Sequence, residues 1–215
     1  LSRSRNKSKS RAWSNRQNRD RYVREARTLG YRARSVFKLS EVDRKYRLIK
    51  PSHQIVDLGA APGGWSKYVA TRLSDRGRII GVDLLEMKPI HGVGIIRGDF
   101  TQPSVQEQII DCLDGQLLDL VLSDMSPNIS GIATIDQAKA EEIQVSILGF
   151  CCMTLKSSGT VLTKLFAGSS FSGIQQMYGM GFAQVSVIKP AASRSESREV
   201  YLLARGYRIR PQRHR

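Results

Sequence analysis

Gln54-Ile55-Val56-Asp57-Leu58-Gly59-Ala60-Ala61-Pro62-Gly63-Gly64-Trp65 is the stretch on which the reading of this 215-residue chain turns. An apolar, β-branched run at 54–58 enters a turn of glycines, alanines and one proline, and from 64 to 73 the pattern becomes helical. A strand that passes through glycines into a helix lets a ligand approach the backbone, and a helix N-terminus favours a negative group. The spacing is not the GxGxxG of dinucleotide-binding turns. Taken alone, the segment also reads as a tight turn with no ligand.

The same alternation continues on the C-terminal side. Further strand-like runs fall at 78–83, 94–97, 117–123, 160–166, 183–188 and 200–204, with helical stretches at 104–113, 135–155 and 170–180. In the second of these helices Ile143, Ile147, Cys151 and Leu155 step by four along one face. Strands that alternate with helices predict an α/β fold, a mainly parallel seven-stranded sheet with helices on both faces. The last two strands are joined by 189–198, too short and too polar for a crossover helix, so they are expected to pair as an antiparallel hairpin. Two short helices precede the first strand, one after Asp20 and one around 35–44, with Gly30 as the break between them.

Three acids stand where the next strands end. Asp83 closes the second strand, about where an acid takes the ribose hydroxyls of a nucleoside cofactor; Asp99 follows the third, and Asp124 ends the fourth. Each alone reads as a turn or cap residue. In series with the glycine turn, they converge on one crevice at the carboxyl ends of the strands. Lys164 is a cation inside the otherwise apolar run Thr163-Lys164-Leu165-Phe166, and a lysine there needs a reason. A buried Lys–Asp pair that only ties two strands is the plainer one.

Charge separates the ends from the middle. Residues 1–34 hold twelve basic and two acidic side chains, residues 205–215 hold five basic and no acidic ones, and residues 35–204 hold seventeen of each, for a net charge of +15. A neutral core with basic ends fits a polyanionic partner, nucleic acid first; tails that only aid solubility are the alternative. Residues 1–19, with Trp13 as their one large apolar side chain, read as a flexible basic arm, 20–205 as a single domain, and 206–215 as a basic tail. No apolar run approaches the length of a membrane span, and no secretory h-region is seen. Cys112, Cys151, Cys152 and the scattered His53, His91 and His214 form neither a disulfide framework nor a zinc site. The expectation is a cytoplasmic monomer without metal or membrane partner.

The segments DLGAAPGGWS, GVDL, GDF, SDMSPNISG, KLF and KPAASRSESREVY, with DRYV and RSVFKL ahead of them, make the chain similar to the FtsJ-like family of S-adenosylmethionine-dependent ribosomal RNA ribose 2′-O-methyltransferases. The likeness runs from about Asp20 to Ala204. Ser126 and Ala167 stand where many members carry Ala and Gln. Trp13 falls where bacterial members place a Trp, which argues against reading the Arg- and Ser-rich start as a transit peptide.

The resemblance implies a Rossmann-like methyltransferase fold and S-adenosylmethionine as cofactor, on Gly63, Trp65, Asp83, Asp99 and Asp124. It implies Lys38, Asp124, Lys164 and Glu199 as the catalytic set, with Lys164 as proton acceptor at a ribose 2′-hydroxyl. Ser193, Arg194, Ser195, Ser197 and Arg198, just before Glu199, are placed to contact RNA phosphate or ribose, although a solvated hairpin loop has the same composition. With Asn128 and the Gly63-Gly64-Trp65 loop, the likeness is to the bacterial large-subunit branch, which implies a uridine of 23S ribosomal RNA on an assembled or assembling 50S subunit. A tRNA ribose 2′-O-methyltransferase and a non-catalytic RNA-binding assembly factor remain as alternatives; a dehydrogenase has the wrong glycine spacing.

Overall fold

A computed structural model describes residues 21–127, 130–168, 171–194 and 197–208. Trp13, Asn128, Ser195, His214, the 1–19 arm and most of the 206–215 tail lie outside them. Two helices, α1 (Arg21–Thr28) and α2 (Val36–Tyr46), precede β1 (Gln54–Leu58), α3 (Gly64–Ala70), β2 (Arg78–Asp83), β3 (Val93–Arg97), α4 (Pro103–Leu113), β4 (Leu118–Ser123), α5 (Ala133–Thr154), β5 (Leu155–Phe166), α6 (Phe171–Gly181), β6 (Phe182–Ile188) and β7 (Glu199–Tyr207).

One seven-stranded sheet runs β3-β2-β1-β4-β5-β7-β6. From β3 to β5 every pairing is parallel, while β7 is antiparallel to both β5 and β6. The expected C-terminal hairpin therefore exists, but β7 does not extend the sheet outward. It fills the gap between β5 and β6, which run the same way and would otherwise stand a strand's width apart.

Parallel strands covered on both faces are apolar throughout, and β1 is buried at all five positions. One face packs against α4, α5 and α6 through Val105, Ile109, Ile147, Phe150 and Tyr178; the other packs against α2 and α3 through Val36, Leu39, Trp65 and Val69. Helix α1 joins this second layer through Tyr22, whose ring lies 5.4 Å from that of Phe37. Strand β6 is at the edge and half exposed.

Strand order reverses on either side of β1, between β2 and β4, and the loops after β1 and β4 open there. Such a switch point is where open α/β sheets bind ligands. Two departures from the expected boundaries have simple causes. Leu155 leaves the helical series: its backbone is extended, at φ −85° and ψ 132°, and it starts β5 by pairing with Leu118. It is buried in either conformation, so side-chain periodicity could not distinguish them. Strand β7 runs to Tyr207, past the apolar run, because pairing with Phe182 continues there.

Candidate active site

At the switch point lies a cleft of about 570 Å³. Gly59 and Ala61 after β1, Asp83 after β2, Asp99 and Phe100 after β3, and Asp124 and Met125 after β4 line it, and Lys139, Glu142 and Ile143 close one side from the first half of α5. The turn before that helix is held by Asp136, whose carboxylate accepts from the Ser130 N–H at 2.6 Å, its hydroxyl at 2.7 Å and the Gly131 N–H at 3.1 Å.

Each acid at a strand end is fixed by local backbone. Asp83 Oδ2 accepts from the Ala61 N–H at 2.9 Å and Oδ1 from the Leu85 N–H at 2.8 Å, which ties the β1–α3 turn to β2. Asp99 Oδ1 accepts from the N–H and hydroxyl of Thr101 at 3.0 and 2.8 Å. Gly59 adopts φ +75°, and a Cβ there would sit 2.8 to 3.0 Å from Met125 atoms. The two turns touch at that point, where only a residue without a side chain fits the approach and the left-handed backbone.

Gly63 and Trp65 are placed differently from the three acids. Gly63, at φ +97°, is the N-cap of α3, and a Cβ there would meet Ile90 and Arg32. Trp65 is buried in the layer beneath α2, where its indole N–H donates to Ser35 O at 2.8 Å and its ring lies 5.8 Å from that of Tyr201. Neither is among the residues that line the cleft, and the Gly63 N–H donates to Ala60 O at 2.6 Å. Arg32 stands over this turn and donates to Lys88 O at 2.7 Å and Pro89 O at 2.8 Å.

Lys38, Asp124, Lys164 and Glu199 come together at the rim as two ion pairs. Lys164 Nζ is 3.0 Å from Asp124 Oδ1 and also donates to the Asp124 carbonyl, while Lys38 Nζ donates to Glu199 Oε1. The four side chains are between 9% and 19% exposed, so both pairs are largely desolvated yet open on one side. Asp124 belongs to the cleft and to the tetrad at once.

Tyr201 links the pairs, and reading the sequence did not single it out. It faces Lys164 directly across the β5–β7 ladder, its hydroxyl donates to Asp124 Oδ1 at 2.7 Å, and Lys38 Nζ lies 5.8 Å from its ring centroid. Burial, reinforced by the Asp124 and Glu199 carboxylates, raises its hydroxyl well above the ordinary tyrosine value, so it remains a donor. The available signal was period two: residues 199 and 201 share one face of a strand.

The predicted RNA contacts that are described lie at 193–194 and 197–198, just ahead of Glu199. Arg194 and Arg198 are exposed, Ser193 and Ser197 half-buried, and the Ser197 hydroxyl accepts from the Glu199 N–H at 3.2 Å.

Beneath the cleft, Asp57 is fully buried. Ser66 Oγ donates to its Oδ2 at 2.6 Å, and Oδ1 has no partner. Burial pushes its carboxyl up to about 7, with the Asp124 and Asp83 charges adding to the effect.

A profile of FtsJ-like methyltransferases matches residues 31–207, which include every residue of the cleft and the tetrad. Ribosomal RNA large subunit methyltransferase E of Chromohalobacter salexigens is 45% identical over 208 residues, covering 96% of this chain and 99% of that protein. The protein of the same name from Verminephrobacter eiseniae is 43% identical over 202 residues, covering 94% of this chain and 84% of the other. A crystal structure from Plasmodium falciparum, provisionally described as a ribosomal RNA methyltransferase, superposes with a TM-score of 0.74 at 27% identity, over 84% of this chain and 100% of that one.

Proposed function

Because the chain belongs to the FtsJ-like methyltransferase family, we propose that it transfers a methyl group from S-adenosylmethionine to the 2′-hydroxyl of a uridine ribose in large-subunit ribosomal RNA, on the assembled or assembling subunit. The observation that carries this reading is the double membership of Asp124. One carboxylate borders a nucleoside-sized cleft and also anchors a lysine at its rim.

The cleft suits the cofactor on three counts. Its volume lies in the range of small-molecule sites. Its strand-end carboxylates, Asp83, Asp99 and Asp124, are acceptors, as two ribose hydroxyls, an adenine amino group and a cationic sulfonium require. The turns after β1 and β4 pack so closely at Gly59 and Met125 that no side chain at 59 stands between the cofactor and the backbone. We assign Asp83 to the ribose hydroxyls, Asp99 to the adenine amino group, and the backbone at Gly63 and Trp65 to the methionine end. When bound, S-adenosylmethionine supplies an electrophilic methyl group.

The chain must then deal with the proton of a poor nucleophile. Lys164 is the group we assign to the 2′-hydroxyl: it takes up the proton lost as the methyl–oxygen bond forms and the methyl–sulfur bond breaks, and the Asp124 carboxylate alongside balances the ammonium that results. Lys38 adds positive charge near the developing oxyanion, and Glu199 fixes Lys38 in place. The exposed arginines of the 189–198 loop and the basic arm meet RNA phosphates.

Lys164→Ala is expected to lower methyl transfer to undermodified large subunits at least about a hundredfold, with S-adenosylmethionine affinity by calorimetry within about twofold of wild type. An active variant would sink the assignment. Label from the cofactor appearing on isolated tRNA and not on ribosomal subunits would replace the substrate.

A further inference from the structure

Glu199 is reached from edge strand β6 through a loop in which, among the described residues, only Pro190 and Ala192 are buried. Residues 189–198 lead from edge strand β6 to Glu199, and the segment turns back on itself through the Ser193 N–H to Pro190 O bond at 2.8 Å. Three side chains from one stretch of the N-terminal layer grip it. Glu41 accepts from the backbone N–H groups of Ala191 at 3.0 Å and Ala192 at 3.4 Å, Arg34 donates to the Ala192 carbonyl, and Lys38 pairs with Glu199. Their spacings of four and three place them along one side of α2 and the turn that leads into it.

Two of the grips hold backbone, whatever side chains the loop carries, and Lys38 lies between them. A lysine stem has four rotatable carbons and does not by itself hold an ammonium at a set point. We propose that Glu41, with Arg34, is a positioning residue for methyl transfer: it holds Ala191 and Ala192 against α2 and thereby sets where Glu199 and Lys38 stand relative to Lys164. The inference rests on the methyltransferase reading above. Glu41 touches neither cleft nor tetrad, so its effect passes through the loop.

The test uses the full chain with undermodified large ribosomal subunits. Glu41→Ala is expected to lower the saturating transfer rate by about tenfold or more, because small displacements at a reacting centre are costly, while cofactor affinity and melting temperature stay close to wild type. Glu41→Asp should recover part of the rate. In a Glu199→Gln background the same Glu41→Ala change should cost less than about twofold, since the residue it acts through is already altered. A full tenfold loss in that background, or a wild-type rate for Glu41→Ala, overturns the proposal.

Amide exchange at Ala191 and Ala192 is a readout independent of activity. Both should be protected in the wild type and released by Glu41→Ala; fast exchange in the wild type also overturns the clasp. If the wild-type protein methylates no RNA, the functional reading falls, and the exchange comparison still decides whether the clasp exists.

Discussion

Asp57 is the residue at which local electrostatics most plainly affects stability. An ionised carboxylate with one orphaned oxygen in a fully buried position is costly, and burial accordingly raises the group from 3.8 to about 7. Between those two values the folded chain holds a proton that the unfolded chain has already released. Stability contributed here is therefore full at low pH, declines as pH rises from about 4 to about 7, and is level above that, by about 4 kcal/mol in all. Asp57→Asn removes the titration while keeping an acceptor for Ser66. Urea unfolding without ligand should show the variant gaining on the wild type as pH climbs from 5 to 7.5, and parallel curves would refute the account. At this scale the acids were legible because each follows a strand, where chain direction alone predicts a ligand edge. Tyr201 was not, because its role comes from standing opposite Lys164, a register that no local pattern contains.

Elements add what single residues lack, namely the direction in which a site opens. Two turns, after β1 and after β4, make the floor of the cleft, and they touch at Gly59 and Met125. Gly59→Ala would put a Cβ against the Met125 backbone and hold a non-glycine residue at φ +75°. Strain and collision together are expected to cost about 1–3 kcal/mol and to weaken S-adenosylmethionine binding by about tenfold or more, as the turns are forced apart. Calorimetric titration beside thermal unfolding checks both. Unchanged affinity would show that cofactor binding does not depend on this contact between the turns. Strand and helix positions were readable because their periods differ, and the hairpin was readable because its connection is short. Insertion of β7 between β5 and β6 was not, since a ten-residue loop permits either side. It is that insertion which delivers Glu199 and Tyr201 to Lys164.

Charge is distributed on the scale of the whole molecule. Cleft and tetrad occupy a stretch with as many acidic as basic side chains, while residues 1–19 alone carry seven positive charges and no negative one. Chemistry and docking are thus separable along the chain. Affinity for a polyanion falls with salt in proportion to the phosphates neutralised, and cofactor binding in a cleft of fixed acids does not share that dependence. Removal of residues 1–19 is therefore expected to weaken RNA binding and to flatten its dependence on salt, by up to about 0.7 in the log–log slope for each lost contact to a single-stranded phosphate. S-adenosylmethionine affinity should be unchanged, because among the described residues the cleft is lined from Gly59 onward. Binding of large-subunit RNA measured across a salt series, with full-length and shortened protein side by side, decides the point. Equal slopes would mean that those seven charges meet solvent and not phosphate, and would leave docking to the arginines of α1 and of the 189–198 loop.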